Sequence, residues 1–201
     1  AAVTEAESAV TLSPVRLENY HLLAELRIRG RQPEAALATL ERARAVHPDY
    51  VATEQLTASA ELQRGRPEAG FEAALRSLDA AGAPPSVGFV ESVASSLRNR
   101  DRPDLAAGLR EAYLRRRYLA GNTAADRTGP SELAVHDWPL AARLPLDYLR
   151  IGDREGALRS AKFLASHVPG AARNANGFVR AVSSGDDEMW RRLDRIPIDP
   201  R

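Results

Sequence analysis

Apolar residues recur along this chain at helical spacing, in short blocks separated by glycine, proline and charged turns. Ala2, Ala6, Ala9 and Val10 mark one face of a first helix, which Leu12-Ser13-Pro14 stops. Tyr20, Leu23 and Ala24 share a face of a second helix that ends at Gly30-Arg31, where the glycine is expected to supply the left-handed backbone of a helix cap. Pro33 and Glu34 open a third helix, because proline loses no hydrogen bond in a first turn and an acid meets the positive helix end. Its inner stripe is Ala36, Leu40 and Ala43, and Pro48-Asp49 ends it.

The blocks repeat. Pro14 and Pro48 lie 34 residues apart, and equal steps back from each give Ala9, Ala6, Ala2 and Ala43, Leu40, Ala36. A fixed period of this length, filled with helix formers, predicts stacked helix pairs. One pair cannot bury its apolar stripe, so neighbours must cover it. From Val51 the unit is degenerate: Ala58, Gly65, Gly70, Ala74 and Ser77 keep the small places, but Glu54 and Thr57 stand where bulky residues are expected. The breaker Gly65-Arg66-Pro67-Glu68 repeats Gly30-Arg31-Gln32-Pro33-Glu34 almost in register. A fourth unit starts near Val87 with Val90, Val93, Ala94 and Leu97, turns at Asp101-Arg102-Pro103-Asp104, and continues with Ala106, Leu109 and Tyr113.

The period then breaks. Residues 120–137 are polar and small, with Gly121-Asn122 and Thr128-Gly129-Pro130, and are expected to form an irregular insertion holding at most a short turn at 131–135. It resumes over 138–171, where Leu144, Tyr148, Gly152, Ala157, Leu164 and Pro169 fit another pair, with Pro145 expected to kink its first helix. Residues 172–201 read as capping helices, Arg173 to Val182 and Asp186 to Leu193, with a tail. The organisation expected is repeats over 1–119, the insertion, one further pair and the cap. The first unit lacks its first helix, so the chain is expected to be cut from a longer array or a larger protein.

Tyr20, Leu23, Ala24, Ala36, Leu40, Ala43 and Pro48 supply seven of the eight signature places of a 34-residue repeat, and Arg27 departs at the eighth, where an apolar residue is usual. In this the chain resembles the tetratricopeptide repeat family, over 2–119 and 138–171. The resemblance implies an all-α fold, a right-handed α-α superhelix whose first helices line a concave groove. It places Glu18, His21, Glu25, Ile28, Gln55, Ser59, Leu62, Glu91, Ser95, Arg98 and Asn99 on that groove, acidic at its start and basic at its later end. The implied function is a non-enzymatic scaffold that binds a peptide or partner protein. Family members that clamp a terminal carboxylate use lysine and asparagine where this chain has His21 and Glu25, so that chemistry is not expected.

Composition narrows the alternatives. Net charge is +1, which gives no global attraction to nucleic acid. Cysteine is absent, so there are no disulfides or thiolate metal sites, and either redox environment suits the chain. No apolar run is long enough to cross a bilayer, and Ala1 to Thr11 does not resemble a signal peptide. From Arg98 to Arg127 eight arginines face four acids, a balance of +4. Arg110, Arg115, Arg116 and Arg117 could therefore meet an anionic partner, although a helix face carrying local ion pairs is the commoner arrangement. Nucleic acid is disfavoured because no aromatic residues interleave as stacking platforms.

Candidate chemistry is sparse. His136-Asp137-Trp138 could hold a general base beside an aromatic wall, but Asp137 capping a helix that packs Trp138 is the simpler reading. His21 with Glu18 and Glu25 has ligand spacing, but surface charge on a helix is far commoner, so no metal and no cofactor is expected. Two rival readings remain. The chain could be the appendage of a bacterial membrane glycan or secretion machine, or a frame for catalysis at His136. The apolar edges of degenerate repeats, and Trp190 near the end, also leave self-association open.

Overall fold

The computed structural model describes residues 1–83, 85–120, 130–167 and 172–184, with some helical residues described by backbone alone. Among them every regular element is a helix: α1 (Ala2–Leu12), α2 (Leu17–Arg29), α3 (Pro33–Val46), α4 (Val51–Gln63), α5 (Pro67–Ser77), α6 (Val87–Arg98), α7 (Pro103–Ala120), α8 (Pro130–Arg150), α9 (Arg154–His167) and α10 (Ala172–Ser184). The chain divides into two compact units, Ala1–Arg102 and Pro103–Arg201. The division falls inside the expected 1–119 block, between α6 and α7.

In the first unit each helix packs on the next in the chain, and α2 also packs on α4, and α4 on α6. This neighbour-plus-next pattern is what stacked helix pairs produce. Tyr20, Leu23 and Ala43 are buried with Ala6 and Val10 of α1, while Ala24, Ala36 and Leu40 are buried with Ala60 of α4. Each large side chain so buried contributes about 1.5–3 kcal/mol. Small residues set the spacing: a Cβ on Gly70 would lie 2.6 Å from Leu62 Cγ, so α5 approaches α4 at a distance only glycine permits.

One turn recurs. After α2, the Gln32 N–H donates to the Arg27 carbonyl at 2.8 Å and the Arg31 N–H to Ile28 at 3.0 Å. The same pair of bonds runs from Arg66 and Gly65 to Glu61 and Leu62, from Arg102 and Asp101 to Leu97 and Arg98, and from Asp153 and Gly152 to Tyr148 and Leu149. This is the Schellman arrangement, which needs a left-handed residue just past the cap. Those residues are Arg31 (φ 56), Gly65 (φ 76), Asp101 (φ 56) and Gly152 (φ 79). The expectation that Gly30 supplies this conformation is therefore corrected: Gly30 has φ −77, and the strain falls on Arg31. Pro33, Pro67 and Pro103 open the helices after the first three turns, and after the fourth Asp153 Oδ1 accepts the Gly156 N–H at 2.7 Å.

The turns are also tied to one another. Gln63 Nε2 donates to the Ile28 carbonyl at 3.0 Å, and Arg100 Nη2 to the Leu62 carbonyl at 2.6 Å. Each adds a second hydrogen bond to a carbonyl that already accepts an N–H of its own turn, Arg31 on Ile28 and Gly65 on Leu62, and so ties one turn to the next. Arg64 pairs with Glu34, and Arg102 with Glu68, one unit further on.

In the second unit α7 packs on α8 and α9, α8 on α9, and α9 on α10. Phe178 of α10 is buried with Leu146, Ala157 and Ala161. Residues 130–137, expected in an irregular insertion, are instead the opening turns of α8, and α8 runs on through Pro145 as one helix. Residues 121–129, the second capping helix and Trp190 lie outside the described residues.

Candidate functional site

Helices α2, α4 and α6 lie side by side, and the residues expected on a groove fall into rows along them. His21, Gln55 and Glu91 form one row, and Glu25, Ser59 and Ser95 the next, each stepping by 34 and then 36 residues. A third row holds Ile28, Leu62 and Arg98. All nine are half-buried except Leu62, which is buried at 5% exposure, and Glu18 and Asn99 at the margins are exposed. Leu62 leaves the groove set because it packs over Gly70.

The polar members differ in what they hold. Ser59 Oγ donates to the Gln55 carbonyl at 3.0 Å, and Glu25 accepts Arg29 Nη2 at 2.6 Å. Arg98 Nη2 donates to Ser95 Oγ at 3.2 Å. His21 Nε2 bonds to Thr53 Oγ1 at 2.8 Å, and its ring stacks on Tyr50 with centroids 5.7 Å apart. Burial pushes the His21 pKa below its ordinary value, with the Glu18 charge opposing. His47 meets the Tyr50 ring edge-on at 5.4 Å. The Tyr50 loop is pinned in turn: the Val51 N–H donates to the Ala81 carbonyl at 3.0 Å, and the Ala81 N–H to Asp49 at 2.7 Å.

Behind this face lies a charged cluster that the sequence marks only by Glu54 and Thr57 standing at bulky places. Glu54 is 3% exposed. Its Oε1 accepts Arg44 Nε and its Oε2 accepts Arg76 Nε, both at 2.8 Å, and Arg44 Nη2 reaches Thr57 Oγ1 at 3.0 Å. Burial alone would lower the Arg44 pKa, but the Glu54 hydrogen bond and the charges of Glu54 and Glu41 raise it. Glu54 and Thr57 are thus one network that locks α3, α4 and α5 together. Arg27 has the same explanation, donating to the Ala35 carbonyl at 3.0 Å and to Glu7 at 2.7 Å. Pairing the misfit Glu54 and Thr57 with an arginine on an adjacent helix would have found the first network, whereas the Ala35 carbonyl and Glu7 that hold Arg27 carry no such mark in the sequence.

Three of the four arginines expected to face an anion are paired within the fold, although only Arg110 is buried. Arg110 is fully buried and paired with Asp147, so it is withdrawn from the anion-facing set. Arg115 Nε donates to Glu111 at 2.7 Å and its guanidinium lies 5.0 Å from the Phe163 ring centre. Arg117 pairs with the buried Asp137 and donates to the Tyr113 hydroxyl at 3.1 Å, while Arg116 is half-buried. Burial, then the charge of Asp137, pushes the Tyr113 phenol up to about 12. Burial and Glu111 raise Tyr148 likewise. Asp137 sits inside α8, so it is a counter-ion and not a helix cap. The side chains of His136 and Trp138 lie outside the described residues.

Among the described residues no group of three or more His, Cys, Asp and Glu could hold a metal ion, and no helix is long and apolar enough to cross a membrane. In comparisons with protein-family models and with curated proteins, this chain matches none.

Proposed function

We propose that the chain is a non-enzymatic binding scaffold of tetratricopeptide type, a right-handed superhelix that receives an extended segment of a partner protein on the face of α2, α4 and α6. The observation that carries this reading is the alignment of half-buried polar residues in rows across three adjacent helices: His21, Gln55, Glu91 and Glu25, Ser59, Ser95. A half-buried polar row is poorly suited to core packing and well suited to hydrogen bonding with a strand-like guest. Most contacts behind it are spent on rigidity, including the Glu54 network and the ties from Gln63 and Arg100. A preorganised wall loses little entropy on binding.

Panning a displayed library of random dodecapeptides against the 201-residue chain tests the reading. Bound clones are expected to slow amide exchange along α2, α4 and α6, and replacing both Gln55 and Ser59 by arginine should abolish their binding. Recovery of no clones, or protection confined to other helices, overturns it.

A further inference from the structure

The half-buried arginines of residues 1–102 are matched to acceptors inside the unit. Arg27 holds Glu7, Arg44 holds Glu54, Arg64 holds Glu34 and Arg102 holds Glu68. Arg100 holds the Leu62 and Ser96 carbonyls. Arg98 differs. It donates to a neutral hydroxyl, Ser95 Oγ, and no carboxylate of the described residues pairs with it. A guanidinium carries five N–H donors, so most of the hydrogen-bonding capacity of Arg98 is unused by the fold, on the α6 end of the groove face.

The α2 end has the opposite charge. Glu18 is exposed and forms no ion pair among the described residues; its charge acts on His21. Glu25 lies two turns further on but is engaged by Arg29, and Glu91 has an interaction of its own. Gln55 and Ser59 between the two ends are neutral. The free capacity on this face is therefore an acid at one end and a base at the other.

Resting on the groove reading above, we infer that the partner segment is charge-polar, with a side-chain carboxylate that meets Arg98 and a basic side chain that meets Glu18. Helix axes pack about 8–10 Å apart, so α2 and α6 are separated by roughly 20 Å across the face, and Arg98 lies in the row of Ile28, about 15 Å further along the helices than Glu18. An extended chain advances about 3.3–3.6 Å per residue, so the resulting span of about 25 Å puts the two charged side chains about seven residues apart. Guanidinium and carboxylate form parallel hydrogen bonds, which makes the α6 end the stronger anchor.

The same library, flanked by constant sequence so that no free terminus reaches the groove, is panned against the wild-type chain and against Arg98→Glu, Arg98→Lys and Glu18→Lys. Clones from the wild type should share an acid and a base at the stated separation. Arg98→Glu should bind them about tenfold more weakly and select a base in place of the acid. Arg98→Lys should keep the acid, and Glu18→Lys should lose the base. Melting curves equal to wild type show that the variants are folded, and Glu18, being exposed, gives an arm independent of Arg98. Clones without paired charges, or an unchanged charge preference in Arg98→Glu, overturn the inference and leave the groove reading standing. Failure to recover any clone removes both.

Discussion

Arg110 and Asp147 form an ion pair with almost no exposure, and Arg150 also approaches Asp147, at 3.6 Å. Two charges taken out of water gain little net stability, but one left alone is costly. Arg110→Leu should therefore destabilise the protein by about 3 kcal/mol, while Arg110→Leu with Asp147→Leu should recover most of that loss; urea unfolding of the three proteins measures both. His21 gives a pH signature. Its folded pKa lies below the ordinary 6.5, so the unfolded chain takes up the proton more readily. The stability His21 contributes is complete above that value and is lost as pH falls through the folded pKa. His21→Gln should flatten the decline that urea midpoints show just below pH 6.5, relative to wild type. A decline of equal slope in both proteins would mean that other groups cause it. None of this was legible residue by residue. Arg27 and Glu54 look like departures from the repeat because the pattern records what usually packs, and an arginine with a matched carboxylate packs equally well.

Among the elements, the four like turns carry the repetition more faithfully than the helices do. Three are closed by Gly65, Asp101 and Gly152, and the first by Arg31, each at positive φ. Sequence spacing suggested Gly30 because glycine is the usual left-handed residue, but the two bonds from Arg31 and Gln32 fix the site one residue later. Arg31 thus aligns with Gly65 at the 34-residue period. Arg31→Gly should stabilise the first unit by about 0.5–1 kcal/mol, since it relieves a conformation that L-residues disfavour. Gly65→Ala should cost about 1 kcal/mol through backbone conformation, because nothing lies within 4 Å of the added methyl. Thermal melts of the two variants should move in opposite directions. The helix starts at Pro33, Pro67 and Pro103 were readable because proline has few other places in a helix. The start of α8 at Pro130 was not, because Leu133, Ala134 and Val135 come as one short run and not at helical spacing, straight after a stretch of glycine and polar residues.

For the whole molecule, the division at Arg102 and Pro103 leaves residues 1–102 with cores and inter-turn ties of their own. Expressed alone, that segment should keep its helical circular dichroism and melt cooperatively; a noncooperative loss of signal would show that it depends on the rest of the chain. The sequence by itself determined that the protein is built of helices, which faces of α1 to α6 are apolar, and where most turns fall. Those are local matters, set by periodicity, proline and glycine. Only the tertiary structure decided which polar residues are spent inside and which stand on the open face. Glu54 reads in the chain as a misfit, Asp137 as a helix cap and Arg110 as a surface charge, yet all three are buried, whereas Arg98 is half-buried with only Ser95 for company. The reason is that the fate of a charge depends on which partner an adjacent helix brings within hydrogen-bonding distance, and that partner can lie tens of residues away in sequence.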